Sequence, residues 1–120
     1  MIMRPELHNL PPQWTRKPKD VTDQLTEQIQ ELVGLDYQVR LLRERPWASI
    51  TFSGVRCQFA IMPLWKGGPA ISQYCGTRLL GYPYDLHGHF VADLVIERPD
   101  NDRDQTVTIE ILVINDPVAR

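Results

Sequence analysis

Between residues 90 and 114 the chain alternates apolar and polar side chains twice, on either side of a charged break. Successive side chains of a strand point to opposite faces, so this period-two pattern predicts a half-buried antiparallel hairpin. Phe90, Ala92, Leu94 and Ile96 are expected on one face, with Val91, Asp93, Val95 and Glu97 on the other. After Arg98-Pro99-Asp100-Asn101-Asp102-Arg103-Asp104-Gln105, the pattern turns Val107, Ile109, Ile111 and Val113 inward and Thr106, Thr108 and Glu110 outward. A hairpin with one greasy face must bury it against something, which limits the chain to folds with a covered sheet.

The cover comes from two helical patterns. Val21, Leu25, Ile29, Leu32 and Val33 form an apolar stripe at helical spacing; Asp20 can cap its start and Gly34 its end. The opposite side, Gln24, Glu27, Gln28 and Glu31, reads as solvent-facing. A second helix is expected after Gly67-Gly68-Pro69, with Ile71, Cys75 and Leu79 on its apolar side and Gly81 at its end, although Gly76 weakens the pattern. Between the helices, residues 37–42 alternate as one strand that Pro46 should break. Ala48, Ile50 and Phe52 then pair with Val55, Cys57 and Phe59 around a two-residue Ser53-Gly54 turn. Residues 1–19 carry Pro5, Pro11, Pro12 and Pro18 and read as an extended arm, with Trp14 packing either on its own domain or on a partner.

The expected architecture is therefore α+β, a two-layer sandwich in the order α-β-β-β-α-β-β. An antiparallel sheet of about five strands carries both helices on one face, in a single domain over residues 20–120 behind the arm. A length of 120 residues suffices for one core without staples. The net charge of −2, with acids and bases interspersed, excludes the basic field of a non-specific nucleic-acid binder and the basic amphipathic helix of a membrane-surface protein. Cys57 and Cys75 lack the spacing of a zinc site and read as buried free thiols. The first residues lack the apolar run of a signal peptide, so a cytoplasmic location is expected.

Chemistry is harder to read. The expected hairpin register sets Asp93 opposite Glu110, and like charges opposed on a sheet are unfavourable. Either Arg56 or Arg40 neutralises them, or the pair does acid–base work. His89, of His87-Gly88-His89, shares strand parity with Asp93, so His89, Asp93 and Glu110 are the candidates for a general base or a metal-dependent centre, although their spacing matches no metal motif and no cofactor is indicated. Ser53, Ser72 and Cys75 lack a nucleophile elbow or an adjacent base, and the glycines form no phosphate loop. Trp47, Trp65, Tyr82 and Tyr84 either line a binding surface or cap the ends of the core. Arg40, Arg43, Arg45 and Arg56 could hold an acidic ligand, but Glu44 supplies a local counter-charge.

The second sheet face is expected to be polar in the middle and apolar at one end, where Val91, Val95, Leu112 and Ile114 fall. Such a mixed face suits a subunit interface. The expected element order is similar to that of the small secretion-chaperone-like domains, which dimerise through a sheet and bind a partner polypeptide; their final helix has no counterpart in residues 115–120. The leading expectation is a non-enzymatic homodimeric interaction module with Val91 and Leu112 in its interface and a possible protein partner. The rivals are a small enzyme using His89, Asp93 and Glu110, and a structural subunit of a larger complex.

Overall fold

A computed structural model describes residues 20–99 and 105–116. The arm at 1–19, most of the charged break before the last strand, and residues 117–120 lie outside the described residues. The order is α1 (Val21–Val33), β1 (Tyr37–Ala48), β2 (Ser53–Pro63), α2 (Gln73–Gly81), β3 (His89–Glu97) and β4 (Val107–Asn115). One antiparallel sheet runs β1-β2-β4-β3, so the class is α+β with four strands rather than five.

α1 follows from its sequence. The Asp20 carboxylate accepts the Asp23 amide at 2.8 Å, satisfying a donor that the first turn leaves free. Gly34 adopts φ 90° past the last turn, a conformation glycine enters without penalty. Val21, Leu25, Ile29 and Val33 are buried against the sheet. The polar side is not all solvent: Gln28 exchanges two hydrogen bonds with the Asp85 backbone (2.7 and 2.8 Å), and Gln24 accepts the His87 amide at 2.8 Å. These glutamines hold down the connection between α2 and β3.

The missing strand is explained at Pro46. β1 continues through it, because β1 is an edge strand and can place a residue without an amide where no ladder bond is needed. The turn therefore falls at residues 49–52, not at Ser53-Gly54. Ala48 pairs with Ser53, and Ser49 closes the turn with its amide on the Phe52 carbonyl (2.7 Å) and its hydroxyl on the Phe52 amide (3.0 Å). Gly54 instead lies inside β2, where any Cβ would strike the Val113 carbonyl, so its glycine serves close strand approach rather than a turn.

α2 also starts later than expected. Ser72, not Pro69, begins it, accepting the Cys75 amide on its hydroxyl at 3.0 Å. Ile71 stays buried outside the helix, its carbonyl held by the Arg98 guanidinium at 2.8 Å. Gly76 is buried beside Ile96 and Arg98; a Cβ there would sit 3.3 Å from the Arg98 guanidinium and in ordinary contact with Ile96.

The core lies between the helices and β2–β4. Phe59, Ile61, Cys57, Ile109, Ile111, Val107 and Val113 are fully buried, with Leu25, Ile29 and Leu79 above them. Truncating Ile109 to Ala should lower stability by about 2–5 kcal/mol, and Asp20→Ala by about 1 kcal/mol; urea denaturation monitored by circular dichroism reads both, with the larger loss at Ile109.

Candidate functional site

Two β-bulges decide which side chains reach the uncovered side of the sheet. The β1–β2 register slips between Leu41 and Arg43, and the β3–β4 register slips between Val91 and Asp93, so Leu42 and Ala92 are extra residues. Each slip reverses the parity of everything before it. Val91, Leu94 and Ile96 consequently pack on the core, whereas Phe90 faces away from it beside Ile114. This corrects two expectations: Phe90 is not inward, and Val91 belongs to the core rather than to an outer interface.

Since directly paired residues share a face, the outer face is a grid of four cross-sheet rows. Arg40, Ala60, Thr108 and Glu97 form the first, and Arg43, Gln58, Glu110 and Val95 the second. Arg45, Arg56, Leu112 and Asp93 form the third, and Trp47, Gly54, Ile114 and Phe90 the fourth. The basic residues thus collect on β1, the acids on β3, and the last row is apolar. Among the described residues both helices contribute to the core on the opposite side, and this face has no covering element.

Glu110 is neutralised as the charge argument requires. Arg56 donates to its carboxylate at 2.9 Å, and both side chains remain partly solvated, so the pair contributes at most about 1 kcal/mol. Arg45 sits directly opposite Arg56, a like-charge pair that turns Arg56 toward Glu110. Arg43, Arg45, Arg56 and Glu110 border a small open cleft of about 70 Å³, room for a few waters or a small ion.

The expected catalytic set is not assembled. Asp93 faces Leu112, and Glu110 faces Val95, so the carboxylates are diagonal neighbours rather than an opposed pair. The Ala92 bulge puts His89 on the core parity, opposite Asn115, and its Nδ1 lies 2.7 Å from the His87 carbonyl. His89 and Asp93 therefore emerge on different faces. Among the described residues no group of three or more His, Cys, Asp or Glu is arranged to hold a metal ion.

The aromatic candidates divide between the ends of the molecule. Trp47 is half-buried in the apolar row, whereas Trp65 follows β2 at the far end and is 51% exposed. Tyr82 and Tyr84 meet edge-to-face at 4.9 Å, and the Tyr84 hydroxyl donates to the Leu79 carbonyl at 2.8 Å. Burial pushes the Tyr84 phenol well above its usual range, as expected of a cap on the core. Of the interface candidates, Trp47 and Leu112 lie on the outer face, and Phe90, Ile114 and the β1 arginines join them. The signal that sequence reading passed over is the unbroken alternation of charges through Arg43, Arg45 and Trp47 once Pro46 is allowed inside a strand.

Cys57 and Cys75 are free thiols, one fully buried and one half-buried. Burial raises both thiol pKa values; at Cys57 the Thr22 hydroxyl lowers it and Glu44 raises it further, and at Cys75 Arg78 and Arg98 oppose the effect of burial. A raised thiol holds less thiolate at neutral pH. Labelling with a thiol reagent at pH 7.5 should modify Cys75 at least about tenfold faster than Cys57, read by mass spectrometry of digested protein, and denaturant should erase the difference.

No helix among the described residues is long and apolar enough to cross a membrane. Comparison with known proteins finds no family model, no curated protein and no solved structure that matches the chain.

Proposed function

We propose that this protein is a non-enzymatic interaction module that homodimerises through the uncovered face of its sheet. The observation that carries this reading is the apolar surface at one end of that face: Phe90 and the half-buried Trp47 flank the buried Ile114, next to Leu112 and Val95. Phe90 and Val95 keep 41% and 45% of their surface in water, which is costly for side chains that a partner could cover.

Strand addition at an edge is the competing way to use a sheet. Both edges are poorly suited to it. β1 carries a bulge, Pro46 and three arginines, and β3 carries a bulge and Asp93 at its middle. Bulges, prolines and charges are the devices that keep edge strands from pairing. The face remains. At strand spacings of about 4.8 Å and rises of about 3.3 Å per residue, it projects roughly 500–600 Å². Side-chain relief brings that toward the roughly 800 Å² per partner of a standard interface, so the whole face is needed, not the apolar row alone. Two free thiols, one of them buried, suit a reducing cytoplasmic compartment.

Leu112 is the probe. It sits at the centre of the face, half-buried and remote from the core. Leu112→Lys, which sets a second cation against Arg56, should weaken self-association at least about tenfold while leaving the circular dichroism spectrum unchanged, read by sedimentation velocity across a dilution series. Wild-type protein that sediments as a monomer at every concentration would overturn the reading.

A further inference from the structure

From the charge layout of the outer face we infer that the occupant is a second copy docked face to face about a two-fold axis parallel to the strands. In that arrangement β1 of each subunit lies over β3 of the other. The inference rests on the dimeric reading above and adds its geometry.

The charges select this axis. β1 and β3 are separated by three strand spacings, about 14 Å, more than a Debye length at physiological salt. Within one chain the arginine lane therefore cannot compensate the acidic lane, and among the described residues Arg40, Arg45 and Asp93 enter no ion pair. A two-fold axis running across the strands would set β1 on β1, arginine against arginine. An axis perpendicular to the sheet would bring like edges side by side, again with like charges adjacent. Only an axis along the strands exchanges the two lanes while keeping each row over itself.

The end rows and the Arg45–Asp93 pair then match, while across the middle Arg43 meets Val95 and Leu112 meets Arg56. Arg40 of one copy meets Glu97 of the other, and Arg45 meets Asp93. Trp47 meets Phe90, and the already buried Ile114 lies over Gly54. Thr108 meets the small Ala60. Each contact occurs twice, as an isologous interface requires. Packed sheets rotate by about 30° relative to each other, which shifts the lanes along the strands by about one residue pair without exchanging them.

The test uses two charge-reversed full-length variants, Arg40→Glu with Arg45→Glu, and Asp93→Lys with Glu97→Lys. All four positions are exposed, and unchanged thermal melts confirm that the variants fold. Alone, each variant opposes like charges in both lanes and should sediment as a monomer where the wild type is dimeric. Mixed in equal amounts, the acidic β1 of one faces the basic β3 of the other in both lanes. A heterodimer should then form at least about tenfold more tightly than either homodimer, seen by sedimentation and by its distinct mass in native mass spectrometry. A variant that stays dimeric alone, or a mixture that stays monomeric, overturns the lane arrangement and leaves the dimeric reading standing. A monomeric wild type removes both.

Discussion

The pairing of β2 with β4 is the contact on which the rest of the molecule depends. It joins segments separated by α2 and β3, sets Cys57 opposite Ile111, Phe59 opposite Ile109 and Ile61 opposite Val107, and buries all six completely. β1 and β3 add to its two flanks, and the helices pack on the apolar row it creates. Gly54 marks how close this pairing is, since its backbone approaches Val113 too nearly for any side chain. Ordering such non-local strands costs loop-closure entropy that only the completed core offsets. The hairpins flanking it are local and gain that partner only when β2 and β4 meet.

The side of the sheet that carries the helices is finished by polar side chains acting on backbone. Gln24 and Gln28 satisfy the segment entering β3, Gln30 donates to the Gly34 and Tyr37 carbonyls at 2.9 and 2.8 Å, and Arg98 holds Ile71 and Ser72. Irregular backbone packed on a core would otherwise leave buried groups without partners. Thr22, buried on α1, donates to Glu44 of β1 at 2.6 Å and approaches Cys57, so even the polar atoms on this side are tied in. On the other side, Arg40, Arg45, Asp93 and Glu97 are exposed, and Phe90 and Val95 keep much of their surface in water.

The legible parts of the fold were those governed by one rule at a time. α1 reads correctly from Asp20 to Gly34 because its cap, its stripe and its terminating glycine agree. The inward set of β4 reads correctly because Val107, Ile109, Ile111 and Val113 alternate without interruption. The strand count failed at Pro46, where a breaker in isolation becomes tolerable on an edge strand. That edge position is decided by β2 and β4, far away in sequence. The turn failed at Ser53-Gly54, because a glycine admitting a neighbouring strand looks the same as a glycine making a turn. The start of α2 failed because Ser72 competes with Pro69 as a helix beginning, and only the Arg98 contact holds the preceding residues extended. The candidate triad failed at Ala92. Strand parity carried His89 and Asp93 to the same face, and a bulge, which leaves no mark in the alternation of a half-polar edge strand, separated them.

The same bulges have a consequence for how this chain can change length. In a regular strand, losing one residue transfers every side chain beyond it to the wrong face. Leu42 and Ala92 are the exceptions, because each is the surplus residue at a place where parity already reverses. A chain shortened by either residue keeps Val91, Leu94 and Ile96 inward, and Arg40, Arg43 and Arg45 outward, along strands that alternate without a break. Descendants of this sequence can therefore shed one residue at these two points and keep both the core and the surface pattern. Elsewhere in the sheet, a single-residue deletion turns the core outward.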